Sequence, residues 1–90
     1  MEKYKVEFTK LAQKQLYKLD PNTFHLITNW INKNLVDCED PRQRGKGLTA
    51  NRSGEWRYRV GDYRIIAKIQ DNIVTVLVLE IGHRSTIYDN

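Results

Sequence analysis

Ninety residues with 40% apolar side chains and nine aromatics suit one small domain with a single core, and exclude both a second domain and disorder as the default state. The formal charge of +4 favours an anionic partner, either nucleic acid or an acidic protein. Cys38 is the single cysteine, which rules out an internal disulfide, and with no signal peptide or long apolar run the chain reads as soluble and cytoplasmic. Cys38 has no activating neighbour in sequence, so a small, partly buried side chain is expected there rather than a reactive thiol.

Residues 3–8 alternate polar and apolar side chains, which predicts a half-buried strand with Tyr4, Val6 and Phe8 inward. Thr9 can cap a helix over residues 10–19, with Leu11, Ala12, Leu16 and Leu19 as a narrow apolar stripe. Asp20-Pro21 breaks it. Either Asp20 or Asn22 caps a second helix reaching about Leu35, with Pro21 in its first turn and Phe24, Ile27, Trp30, Ile31 and Leu35 on its buried face. Together these form an antiparallel helical hairpin.

Over residues 36–54 the periodicity stops, and Pro41, Gly45, Gly47 and Gly54 accompany Arg42, Arg44, Lys46 and Arg52. A long basic loop of this kind is either a binding element or a solvated connection. Strands are expected over residues 55–60, 63–70 and 73–81, joined by tight turns at Gly61-Asp62 and Asp71-Asn72 into an antiparallel meander. With the first strand beside them the sheet has about four strands. Helices first and sheet second make the class α+β, in one domain over residues 1–90.

The segment EWRYRVGDYR, residues 55–64, carries three arginines on two strands. Gly61 can take the positive φ of a primed turn, so Val60 pairs with Tyr63 and Arg59 falls opposite Arg64. Arg57 lies two residues along on the same face, while Trp56, Tyr58 and Val60 point away. Like charges set opposite each other cost stability, so an anion is the expected partner; the plain alternative is a solvated face. A tight turn at Asp71-Asn72 puts Arg64 opposite Leu79 and brings the segment Gly82-His83-Arg84 near the arginines. Arg84 then joins them with His83 or Tyr88, and a bulge would change which one points there.

Such a face suits metal-independent RNA cleavage. The 2′-hydroxyl of RNA is its own nucleophile, so an enzyme needs a base, positive charge for the phosphorane and an acid for the 5′-oxygen. Arginine forks bind phosphate oxygens bidentately and lower the pKa of a neighbouring tyrosine or histidine, which makes Tyr88 and His83 candidates for proton transfer. With no acidic cluster, zinc-type His/Cys spacing or glycine-rich phosphate loop in the sequence, no metal or nucleotide cofactor is expected.

The order of elements, with PRQRGKGL, GEWRYRVGDYRII and VLEIGHRSTIY, resembles the RelE-type toxins of the RelE/ParE superfamily over nearly the whole chain. That resemblance implies a RelE-like α+β fold and an endoribonuclease that cleaves mRNA in the ribosomal A site. It also implies an acidic RelB-like antitoxin and a toxin–antitoxin hetero-oligomer. Carried over by position, it places the catalytic group on Arg57, Arg64, Arg84 and Tyr88, the last with shorter spacing from the preceding arginine than in the best-known member. It places RNA orientation on Arg59, with His83 and Glu55 in reserve as acid or base, while Arg44, Lys46 and Arg52 are expected, as cations of the basic loop, to extend that RNA-binding face. The rival readings are a ParE-like DNA gyrase inhibitor and an inactive antitoxin-binding module.

Overall fold

The Thr9 hydroxyl accepts from Ala12 N at 3.1 Å and opens α1 (Lys10–Tyr17); the Asp20 carboxylate accepts from Thr23 N at 3.2 Å and opens α2 (Pro21–Asn34). Each satisfies a backbone donor that a helix start leaves orphaned, and Pro21 sits where a missing N–H costs nothing. Asp20 rather than Asn22 is the cap, and α1 ends at Tyr17, two residues before the expected Leu19. The computed structural model describes residues 2–87. Around the helices it places β1 (Lys5–Phe8), β2 (Lys46–Gly47), β3 (Trp56–Val60), β4 (Tyr63–Gln70) and β5 (Thr75–His83).

The sheet has five strands in the order β1-β5-β4-β3-β2, one more than expected because β2 arises inside the basic loop. β1 runs parallel to β5, with Val6 beside Val76 and Phe8 beside Val78; the other pairs are antiparallel. Both helices cover one face. Ala12, Leu16, Ile27, Ile31 and Leu35 meet Tyr58, Val60, Ile65, Ala67, Val76, Val78 and Ile81, each large aliphatic contributing roughly 2 kcal/mol of burial. Leu11 stands outside the expected stripe, 50% exposed.

The β4–β5 connection differs from a two-residue turn. Asp71–Ile73 form a 3-10 turn, Val74 takes φ 51, and Gln70 pairs with Thr75. Arg42 grips Asp71 with both guanidinium nitrogens at 3.0 and 2.9 Å, and Tyr4 donates to the same carboxylate at 2.6 Å, which fixes the turn to the loop and to the chain ahead of β1. A bulge follows: Ala67 pairs with Val78 but Ile66 pairs with Glu80, leaving Leu79 extra. β1 has ended by this point, and α1 takes over the exposed backbone of β5. Thr9 Oγ1 donates to Leu79 O at 3.0 Å, and Gln15 Oε1 accepts from Ile81 N at 2.7 Å. Arg64 therefore faces Gly82, not Leu79.

Side chains of β3 pin the basic loop. Tyr58 donates to Pro41 O at 2.6 Å and Trp56 Nε1 to Arg44 O at 2.7 Å. Gly45 between them has φ +80, and a Cβ there would lie 2.2 Å from Arg57 O. Cys38 is half-buried and bridges to Tyr4; burial pushes its thiol pKa up, which favours the inert form. Among the described residues no helix is long and apolar enough to cross a membrane.

Gly45→Ala is expected to lower stability by roughly 2 kcal/mol, through strain and loss of the β2–β3 contact, as read by urea unfolding. The Arg42 and Tyr4 contacts hold the Asp71 carboxyl below the usual carboxylate range. Their stabilisation is therefore present above the unfolded-state value of about 3.9 and is lost as pH falls through the lower folded one. Thermal melts of wild type and Asp71→Asn are expected to differ at neutral pH and to converge in acid.

Candidate functional site

The face of the sheet away from the helices is organised by the β3–β4 hairpin. Gly61 turns at φ 58, Val60 pairs with Tyr63, and Arg59 stands directly opposite Arg64, as the sequence predicts. Arg57 lies opposite Ile66 and, on its other side, Lys46. One face thus carries Lys46, Arg57, Arg59 and Arg64. Arg64 folds back on its own turn, Nη1 donating to Gly61 O at 3.2 Å and Tyr63 O at 3.0 Å.

This face is not an open row of cations. After β5 the chain reverses, with Thr86 N and Ile87 N both donating to His83 O at 2.9 and 3.1 Å. Ile87 lands on the outer face and is buried with Leu48 and Ile66, against Leu79. Gly82 makes the seat, since a Cβ there would lie 2.8 Å from Ile87 Cγ1. Loop and tail thereby wall the sheet, and Arg57 is sunk to 6% exposure while Arg59 stays exposed.

The register shift decides the fate of the other candidates. Two extra turn residues and one bulge residue move β5 by three positions, an odd number, so alternate side chains exchange faces. His83 now lies opposite Tyr63, its ring edge-on at 5.4 Å on the helix side. Its Nδ1 accepts from Ser85 N at 3.1 Å, so the neutral ring carries its proton on Nε2. Arg84 is exposed beside the hairpin turn, its N–H donating to Asp62 O at 2.8 Å and its Nε lying 3.7 Å from Asp62 Oδ1. Arg52 is engaged internally: Nε meets Glu55 Oε1 at 2.8 Å and Nη2 meets Glu80 Oε2, so Glu55 is held as well. Arg44 and Lys46 are exposed at the sheet edge. Tyr88 lies outside the described residues.

Glu80, Gly82 and Ile87 are the residues that sequence reasoning missed. Only the bulge puts Glu80 on this face, and only the reversed tail gives Gly82 a function. Among the described residues no cluster of His, Cys, Asp and Glu is arranged to hold a metal ion.

A helical hairpin packed on one face of such a sheet, with arginines and a folded-back tail on the other, is the scaffold of small toxins from toxin–antitoxin modules. The family described as ParE toxin of the type II toxin–antitoxin system, parDE, matches residues 6–88, and the chain belongs to that family, within the RelE/ParE superfamily. Toxin RelG of Mycobacterium tuberculosis is 33% identical over 85 residues, spanning 94% of this chain and 95% of that protein. The crystal structure of the toxin–antitoxin complex RelBE2 from the same organism contains a chain with TM-score 0.84 and 32% identity, covering 94% of this chain and 95% of that one. The isolated Escherichia coli RelE toxin has the same fold, with TM-score 0.71 at 22% identity over 89% of this chain and 83% of that one.

Arg59→Gln is expected to raise stability by up to about 1 kcal/mol by relieving the repulsion across the hairpin. Urea unfolding should show a smaller gain at high salt, where the charges are screened.

Proposed function

We propose that this toxin is an endoribonuclease that cleaves mRNA in the ribosomal A site, without a metal, and so inhibits translation. The observation that carries the reading is the Arg59–Arg64 pair, two like charges held opposite each other by a tight turn, an arrangement that an anion would offset. In this reading Arg64 and Arg57 hold the scissile phosphate and stabilise its phosphorane, and Arg84 assists the leaving group. Arg59, Lys46 and Arg44 orient the strand. The 2′-oxygen bonds to phosphorus as the P–O5′ bond breaks, Tyr88 takes the 2′-proton, and the departing 5′-oxygen takes a proton from water.

The choice of Tyr88 as base rests on what engages its rivals. His83 faces Tyr63 on the other side of the sheet and Glu55 is paired with Arg52, whereas Ile87, the residue before Tyr88, is seated on Gly82 opposite Arg64. Positive charge nearby lowers a tyrosine pKa. A tyrosine is still a reluctant base near neutral pH, so the ribosome supplies the substrate geometry, and positioning of that kind contributes many orders of magnitude.

The charge of +4 suits an acidic RelB-like antitoxin in a toxin–antitoxin hetero-oligomer, in keeping with the RelBE2 complex among the relatives. The setting for that partnership is the cytoplasm. One observation favours a second reading: the matched family is described for the parDE toxin, which keeps gyrase inhibition in view.

Primer extension on an mRNA translated in a purified system separates the two. Wild type is expected to cut within A-site codons only when ribosomes are present. Arg64→Ala should cut at least about 100-fold more slowly while still binding antitoxin, and Tyr88→Phe should be impaired as well. An intact message together with blocked DNA supercoiling would replace this reading with the gyrase one.

A further inference from the structure

β2 pairs with β3 only at Trp56 and Arg57, so from Tyr58 onward that edge of β3 has no strand beside it among the described residues. An open cleft of about 330 Å³ follows the free edge, lined by Trp30, Arg44, Gly45, Lys46, Arg57 and Arg59. A second cleft, of about 420 Å³, shares Trp30 and Arg44 and continues along α2 past Asn29 to Lys33. Arg57 and Arg59 also belong to the arginine face, so the two clefts form one bent groove leading from that face around the sheet edge to α2. Among the described residues every charged one lining it is a cation: Lys33, Arg44, Lys46, Arg57 and Arg59.

Trp30 stands where the clefts meet. Its ring leans on Tyr58 at 5.4 Å and 52°, which holds it in one orientation while leaving it half-exposed. A fixed aromatic face among spaced cations is the composition of a single-stranded nucleic acid track, because every base has a π-face and every step has a phosphate. An acidic peptide strand fits less well. The free edge of β3 is three residues long, too short for the run of main-chain hydrogen bonds that strand addition needs.

Building on the ribonuclease reading, we propose that this groove carries the single-stranded RNA adjoining the cleaved step, with phosphates on Lys46, Arg44 and Lys33 and one base stacked against Trp30. Sequence tolerance follows, since stacking and phosphate contacts read no base edge; the amides of Asn29 and Asn34 along α2 are placed to add a preference.

The test is fluorescence anisotropy with 2′-O-methyl RNAs, which cannot be cleaved, of about three nucleotides, below the span that single-strand-binding grooves cover, and of about nine, within it. Wild type is expected to bind the longer RNA at least about tenfold more tightly than the shorter. The double variant Lys33→Ala, Arg44→Ala should abolish that advantage and reduce the salt slope by about 1.4. Trp30→Leu should weaken the longer RNA about tenfold, and Trp30→Phe should keep most of the affinity. Trp30 packs on the core, whereas Lys33 and Arg44 are exposed, so the double variant keeps the test valid if Trp30→Leu fails to fold. Wild-type binding by all these variants, with Arg59→Ala alone weakened, would overturn the groove and leave the ribonuclease reading standing. Loss of polyglutamate binding by the same variants, with no RNA bound by wild type, would assign the groove to an acidic protein and overturn the proposal. Failure of the ribonuclease reading shows separately, as an uncut message in translating ribosomes.

Discussion

Leu79 has no partner in β4, because its neighbours Val78 and Glu80 pair with the consecutive residues Ala67 and Ile66. That one unpaired residue reverses the in-and-out alternation for the rest of β5, sending Ile81 and His83 to the helix side and Glu80 and Gly82 to the arginine side. A bulge exposes backbone, and α1 supplies what is missing through the Thr9 hydroxyl and the Gln15 amide. The same Thr9 oxygen caps α1, so one short side chain links the start of a helix to the register of the farthest strand. The composition of the outer face is thus decided on the opposite side of the sheet.

The bulge also explains why the basic loop is not uniformly available to a ligand. Glu80 on the outer face is a carboxylate among arginines, and with Glu55 it holds Arg52. That triad fixes the loop beside β3, while Leu48 from the loop and Ile87 from the tail close over Ile66. Two kinds of cation result: Arg52 has an internal structural role, whereas Arg44, Lys46 and Arg59 project toward solvent from a rigid support. Side chains anchored in this way lose less freedom when they meet an anion.

Much of this was legible in the sequence, and the parts that were not have a common cause. The Arg59–Arg64 pairing follows from Gly61-Asp62 because a two-residue hairpin is a local decision. The caps at Thr9 and Asp20 are local too, and so is the α+β class. The β4–β5 register was not legible: the segment from Asp71 is held by Arg42 and Tyr4, residues far away along the chain. Two residues of β2 are too few to show a period. Burial of Arg57 depends on walls contributed by the loop and the tail, so no window around position 57 contains the reason. The placement of His83 on the helix side follows from parity, and parity depended on the bulge.

The parallel pairing of β1 with β5 ties the beginning of the chain to its end. β1 and β5 are separated along the chain by both helices and the other three strands, so this pair cannot form until all of that intervening sequence has been made. Such long-range pairing is slow to form compared with the local β3–β4 hairpin. The arginine hairpin can therefore form before the strand pair that closes the other edge of the sheet.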